Sequence, residues 1–266
     1  MESLDALWIV SRLQDQRLGW RVRVEEKTTS TNDVAEAEAN HGESEGLAVL
    51  AEEQTAGRGR AKRRWVSSRG NSLLLSVLLR PRLPASEAFL LTALAATAAS
   101  AAIETATGLS CELKWPNDLV LGGRKVGGIL TELNLLGEQI ERAVVGIGLN
   151  VSTSFAEVPD LADTATSLQA ESGRAISRNQ LAVDLMRQMS HRYDALLAGD
   201  REAVFHEWRA RLSTLGRRVR VGQQAGGQLQ GVVEGWAEDV DASGALVLRL
   251  DDGSRMHILS GDVSLR

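Results

Sequence analysis

Two stretches of the sequence concentrate side chains that can act on a phosphorylated ligand. The first is Gly57-Arg58-Gly59-Arg60-Ala61-Lys62-Arg63-Arg64-Trp65. Glycine lets a backbone approach a ligand closely, and arginine presents a planar fork of donors matched to phosphate oxygens. The stretch is not a P-loop, since it lacks the GxxxxGK[ST] arrangement; taken alone it suits a solvated basic turn equally well. The second is Lys114-Trp115-Pro116-Asn117-Asp118, followed by Gly122-Gly123-Arg124-Lys125-Val126-Gly127-Gly128. Pro116 removes a backbone donor and biases Trp115 to an extended conformation, which sets a lysine and an aspartate close together in a stiff turn. Taken alone, Lys114 and Asp118 read more simply as a surface ion pair, and Gly127-Gly128 as a bulge in a packed sheet. A third cluster, Thr29-Ser30-Thr31-Asn32, reads first as a helix N-cap.

The elements around these stretches are legible from periodicity and punctuation. Leu4, Leu7 and Trp8 at i, i+3, i+4 predict a short first helix. Arg21 to Glu25 predicts a strand, Thr28 to Asn32 a polar turn, Asp33 to Asn40 a helix ended by Gly42, and Leu47 to Gln54 a strand. Gln54 to Asn71, with its glycines and cations, predicts a mobile loop. Leu73 to Leu79 predicts a buried strand, and Ser86 is the expected cap of an alanine-rich helix ending at Gly108. Short strands are expected at Cys111 to Lys114 and Leu119 to Leu121. Gly122-Gly123 would turn the chain into Lys125 to Leu133, and Arg142 to Leu149 follows. Leu181, Leu185, Met189 and Tyr193, then Phe205, Trp208 and Leu212, mark two apolar helix stripes that read as core. After Gly216, alternating runs at Arg218 to Val221, Leu229 to Trp236, Ala245 to Leu250 and Arg255 to Leu259, separated by Gly226-Gly227, Ser243-Gly244 and Asp252-Gly253, predict a small β-barrel or sandwich. The domains expected are therefore 1–214 and 215–266.

The bulk numbers bound the rest. At 266 residues, 43% hydrophobic and 24% charged, the composition is globular. A net charge of −5 argues against a dedicated nucleic-acid binder. The one cysteine, Cys111, cannot form an intrachain disulfide; a reducing compartment and an inert, buried thiol fit it. Met1 to Val10 has no basic n-region. Phe89 to Ile103 is alanine-rich and short of a ~20-residue membrane span. A cytoplasmic protein is expected, with no membrane and no nucleic-acid partner. His41, His191, His206 and His257 have no ligand-like spacing, so no protein-only metal site is expected.

Taken together and in this order, the stretches resemble the biotin protein ligases, also called biotin–[acetyl-CoA-carboxylase] ligases. Gly57 to Trp65 matches the family's GRGRxxRxW signature, Lys114 to Asp118 its KWPND motif, Arg124 to Leu130 its RKxxGIL stretch and Ser30 to Asn32 its STN stretch. Gly146 to Asn150 looks like its GxGxN segment. The resemblance runs from about Val22 to the C-terminus. It departs at Lys62, where many members have glycine; the bulkier, charged side chain bears on loop dynamics or on docking to an acidic partner.

The resemblance implies an α+β fold: a mixed sheet with helices, as in lipoate ligases and class II tRNA synthetases, followed by a small C-terminal β-barrel. It implies that biotin and MgATP give biotinyl-5′-AMP and pyrophosphate, and that a lysine of a biotin carboxyl carrier protein or domain then takes the biotinyl group. ATP and Mg2+ are thus the expected co-substrate, and biotin the substrate. By the same resemblance Ser30, Thr31, Asn32 and Gln54 bind the biotin head group, a role suited to a ureido ring that needs convergent neutral donors and acceptors. Arg58 faces the biotin carboxylate and the α-phosphate, Gly59 and Arg60 lie in the same ligand-covering loop, and Lys125 stands beside the acyl phosphate. Arg63, Trp65, Asn117 and Asn150 fall to the nucleotide, and Lys114 and Asp118 join the catalytic set. Two rivals remain at this point. A lipoate or octanoate ligase shares the chemistry but lacks GRGRxxRxW. A biotin-responsive repressor needs a DNA-binding domain of about 50–60 residues, whereas 29 residues precede Ser30. A monomer or weak homodimer is expected.

Overall fold

The computed structural model describes residues 2–14, 16–156, 158, 161–225 and 228–265. Seven strands form one mixed sheet: β1 (Arg21–Glu25), β2 (Leu47–Ala51), β3 (Ser72–Leu79), β4 (Glu112–Lys114), β5 (Asp118–Leu121), β6 (Arg124–Leu136) and β7 (Gln139–Asn150), in the order β1-β2-β3-β7-β6-β5-β4. β1 and β2 are parallel and every other pair is antiparallel. β3 is buried along its whole length, because both of its faces are covered. Leu73, Leu75, Val77 and Leu79 point into the main core. Side chains alternate along a strand, so Ser72, Leu74, Ser76 and Leu78 share the opposite face.

The main core is built by α1 (Ala6–Ser11), α3 (Phe89–Thr107), α5 (Arg178–Leu197) and α6 (Arg201–Ala210). α3 is narrow, because alanine after alanine lets its axis approach the sheet, and Gly108 closes it with φ 74 in the left-handed region. With its preceding turn it spans 23 residues and contains an 18-residue stretch of mean hydropathy 1.5, enough by length and composition to cross a bilayer, which revises the length argument made from the sequence; 67% of that 18-residue stretch is buried inside the protein. Ser86 does not cap α3. It sits in a 3-10 turn, Ala85–Glu87, and Ala88 precedes the helix without a side-chain cap. The first helix is also turned from its expected face: Leu7 is 81% exposed while Ile9 is fully buried.

The other sheet face carries α2 (Thr31–Asn40), which begins earlier than its apolar pattern suggests because Ser30 caps it, accepting from Asn32 N at 3.3 Å. Ala35 and Ala39 pack on Leu47, Val49, Leu78 and Val144. α2 covers only the β2–β3–β7 part of that face; the functional residues gather beside it. A short α4 (Leu168–Ser172) follows β7.

The C-terminal part is a five-stranded antiparallel sheet: β8 (Arg218–Ala225), β9 (Gln228–Val240), β10 (Leu246–Arg249), β11 (Arg255–Ile258) and β12 (Gly261–Leu265), in the order β11-β10-β9-β8-β12. β12 was not anticipated from the sequence, and the expected Gly226-Gly227 turn lies outside the described residues. Val219, Val221, Ala237, Leu246 and Leu248 join the main core, and Trp115 Nε1 donates to Gly244 O at 2.9 Å, so the small sheet is packed directly against the KWPND turn.

Candidate active site

A cavity of ≈ 470 Å³ opens beside α2 on the sheet face away from α3 and α5, and all fourteen candidate site residues line it: Ser30, Thr31, Asn32, Gln54, Arg58, Gly59, Arg60, Arg63, Trp65, Lys114, Asn117, Asp118, Lys125 and Asn150. Its floor exists because two glycines of β7 face it. A Cβ on Gly146 would lie 2.4 Å from Asn32 Oδ1, and one on Gly148 would lie 2.8 Å from the Trp65 ring. Every other residue of β7 faces this side, so Gly146, Gly148 and Asn150 line up from the α2 end toward the strand's C-terminus.

At the α2 end the neutral polar groups are locked together. Gln54 Oε1 accepts from Thr31 N at 2.7 Å and lies 2.9 Å from Thr31 Oγ1. Ser76 Oγ lies 2.7 Å from Thr31 Oγ1 and 2.5 Å from Asn32 Oδ1. Asn32 Nδ2 donates to Glu132 Oε2 at 2.6 Å. A pocket of fixed neutral donors and acceptors results, with Ser30, Thr31 and Asn32 each at most 4% exposed.

The basic stretch folds back over the cavity. Trp65 N donates to Gly57 O at 2.9 Å and Gly59 N to Arg63 O at 2.7 Å. Ala61 takes φ 54 inside a 3-10 turn, Arg60–Lys62. Arg58 is held by two carboxylates, Asp33 and Glu132, the latter at 2.8 Å. Arg60 donates to Asn117 Oδ1 at 3.3 Å, and its burial pulls its pKa down. Arg63 reaches across to Asp262 of β12 at 2.6 Å.

On the third side Lys125 Nζ lies 2.6 Å from Asp118 Oδ1. Lys114 sits opposite Asp118 in the β4–β5 ladder, but the carboxylate's ion pair is with Lys125. Burial lowers the Lys114 pKa; Asp118 opposes that shift and the Lys125 charge adds to it. The Trp115–Pro116 peptide is cis. Lys125 is fixed by its backbone, which donates to Thr164 O and accepts from Thr166 N, both at 2.8 Å. Two polar atoms in this quarter are buried without a partner among the described residues: Trp65 Nε1 and Asn150 Oδ1. A buried acceptor and a buried donor without partners are costly unless a ligand serves them.

The arrangement thus has a polar end, where Asn32 and Arg58 share the Glu132 carboxylate, a second cation in Lys125 beside Gly128, and an aromatic ring and an unmet amide oxygen toward the C-terminal end of β7. Residues 24–150 match the biotin/lipoate A/B protein ligase family, and residues 214–266 match the biotin protein ligase C-terminal domain. The chain is 34% identical over 254 residues to the bifunctional ligase/repressor BirA of Bacillus spizizenii, covering 95% of this chain and 76% of the relative. It is 36% identical to the biotin–[acetyl-CoA-carboxylase] ligase of Mycobacterium tuberculosis, covering 94% and 93%. Among solved structures, the biotin protein ligase of Aquifex aeolicus in complex with biotin and ATP superposes with TM-score 0.76 at 27% identity, covering 92% of this chain and 98% of that one.

The chain belongs to the biotin protein ligase family. Membership accounts for the conjunction of GRGRxxRxW and KWPND around one cavity. It leaves the added contacts to be read from the structure. Ser76, Glu132 and Asp33 support the site and were not singled out from the sequence, nor was the rim formed by Phe155, Leu161, Asp163, Thr164 and Ala165. Ser76 had a readable trace, as the single polar residue within the apolar run 73–79. Glu132 had none, because a carboxylate in a half-exposed strand is ordinary. Cys111 lies apart from the site, buried under α3, with burial pushing its thiol up to about 12.

Proposed function

We propose that the chain activates biotin with ATP and transfers the biotinyl group to a lysine of a biotin carboxyl carrier protein or domain. The observation that carries this is one cavity lined by a polar cluster with Arg58 beside it, by Lys125, and by the unpartnered Trp65 Nε1 and Asn150 Oδ1. Those three regions match a ureido ring, an acyl phosphate and a nucleotide base. The homologues support the same reading: their names give biotin as substrate, and the Aquifex aeolicus ligase holds biotin and ATP.

In the first step a biotin carboxylate oxygen attacks the α-phosphorus, forming a C–O–P mixed anhydride while the bond to pyrophosphate breaks. Ser30, Thr31, Asn32 and Gln54 hold the head group. Arg58 leaves Asp33 and Glu132 for the ligand oxygens, a trade between surface ion pairs of small worth and a desolvated one. Lys125 offers a fixed positive charge where negative charge accumulates, its backbone held by Thr164 and Thr166. Arg60, Arg63 and Asn117 lie along the phosphate path, and Asn150 and Trp65 serve the base. Magnesium would come with the triphosphate. Among the described residues no group of three or more His, Cys, Asp or Glu is placed to hold an ion, so phosphate oxygens would supply its ligands.

In the second step the carrier amine attacks the carbonyl carbon and AMP leaves. A lysine with pKa near 10.4 costs roughly 4–5 kcal/mol to deprotonate at pH 7, and we assign Asp118, which lines the cavity, to receive that proton. Lys114 lines the same side of the cavity, opposite Asp118 in the β4–β5 ladder. The 54–71 loop shuts over the anhydride to exclude water. We take 1–214 as the catalytic domain and 215–266 as a small β domain, acting in the cytoplasm as a monomer or weak homodimer. The test offers biotin, lipoate and octanoate separately with MgATP and measures pyrophosphate, then supplies a carrier domain. Biotin alone should drive pyrophosphate release; release driven equally by lipoate would sink the assignment.

A further inference from the structure

The loop over the cavity is gripped at both feet by one buried ion pair outside the cavity lining. Arg178 and Glu52 are 4% and 5% exposed, with Arg178 Nη2 to Glu52 Oε2 at 2.7 Å. Glu52 lies just before the loop at the end of β2, and its backbone O also accepts from Gly70 N, at the loop's far foot, at 3.0 Å. Arg178 Nη1 reaches Ser72 O, the first residue after the loop, at 3.5 Å. The same pair holds the N-terminal segment: Arg178 Nη2 donates to Glu2 O at 2.6 Å, and Leu4 N donates to Glu52 Oε1 at 2.7 Å.

Stability alone is a poor reason for this arrangement. Arg178 is the first residue of α5, where the helix dipole disfavours a cation, and a buried ion pair is often matched or bettered by apolar residues of the same volume. What apolar residues cannot do is bond at once to two separate backbone segments, the loop's far foot at Ser72 and the N-terminal residues Glu2 and Leu4. The pair's distinctive property is therefore geometric: it sets the separation of the loop's two feet.

We propose that the Arg178–Glu52 pair is a hinge clamp that positions the ligand-covering loop and ties it to the N-terminal segment, so that the loop closes in one register over the adenylate. Both are positioning residues, acting through the loop. The proposal rests on the reading that residues 54–71 cover biotinyl-5′-AMP.

The test preloads the enzyme with labelled biotinyl-5′-AMP and chases with unlabelled adenylate. Arg178→Lys keeps the charge but not the fork, and release should be about tenfold faster, the loss of one charge-assisted hydrogen bond from the closed state. The double variant Arg178→Met with Glu52→Gln leaves no buried charge without a partner and should show the same acceleration if the lysine variant fails to fold. Biotin affinity should change by less than release does in both, because Ser30, Thr31 and Asn32 are held by α2 and β3, and only Gln54 and Arg58 of the biotin-facing residues lie in the loop. Wild-type release rates in a folded variant overturn the clamp. So does an equal loss of biotin affinity, which would mark general loosening. Protease cleavage of the loop in wild type, with and without adenylate, separates the two ideas: no protection by adenylate overturns the covering role itself, whereas protection with unchanged release in the variants overturns only the clamp.

Discussion

Replacing Gly146 by alanine puts a methyl carbon 2.4 Å from Asn32 Oδ1. Ordinary contact begins near 3.5 Å, so the amide must retreat by about 1 Å. It has little freedom to do so, since Ser76 Oγ holds its oxygen at 2.5 Å and Glu132 holds its nitrogen at 2.6 Å. Gly146 itself is in extended backbone that alanine accepts, so the cost is one of crowding. Overpacking of this kind costs about 1–3 kcal/mol, and a disturbed buried hydrogen bond about 1 kcal/mol. If 2–3 kcal/mol of that falls on the ligand-bound state, the biotin Kd rises about 30- to 150-fold. Gly148→Ala is the contrasting case two residues along the same strand face. Its methyl would meet the Trp65 ring at 2.8 Å, so biotin binding should change less than about threefold while adenylate synthesis falls at least about tenfold. Calorimetric titration with biotin, beside pyrophosphate release at varied ATP, measures both. If Gly146→Ala bound biotin normally, or if both variants showed the same defect, the division of this cavity into a head-group end and a nucleotide end would be refuted.

Asp118→Asn should form adenylate at a rate within about threefold of wild type but transfer it to the carrier at least about tenfold more slowly, as loss of a proton acceptor predicts; single-turnover transfer from preformed adenylate reads this, and normal transfer removes Asp118 from the second step. Lys125→Gln should slow adenylate formation by about 100-fold or more, the scale for deleting one electrostatic stabiliser, and a normal burst of pyrophosphate would contradict its role. Cys111 should resist iodoacetamide in the native protein at pH 8 and react only after unfolding: burial holds its thiol near 12, the thiolate is the reactive form, and reactivity should rise only as pH climbs toward that value. Mass-spectrometric labelling from pH 7 to pH 10 checks it, with rapid native labelling at pH 8 as the contrary result.

Much of this molecule could be read before any fold was known. The 29–32 cluster announces a helix cap, Gly108 the end of α3, and the change after Gly216 from helical to alternating patterns announces the second sheet. Each follows from local physics, in caps, left-handed glycines and side-chain alternation, which act within a few residues. The fourteen candidate site residues were legible for a different reason: their types and spacing resemble a family signature, and the fold then gathers them around one cavity. Where local inference failed, something distant decided. Ile9 is buried in place of Leu7 because α5 and the sheet lie on that side of a six-residue helix.

The partners of the site residues belong to the tertiary structure alone. Asn32 meets Glu132 across 100 positions of chain, Arg63 meets Asp262 across 199, and Arg178 meets Glu52 across the core. The sequence by itself determined which chemical groups this chain carries and the elements that bear them. Only the packing of α2, β6, β7 and α5 decided which groups face one another, because a carboxylate's effect depends on distances of a few ångströms, and those are set by long-range contacts that no local pattern encodes.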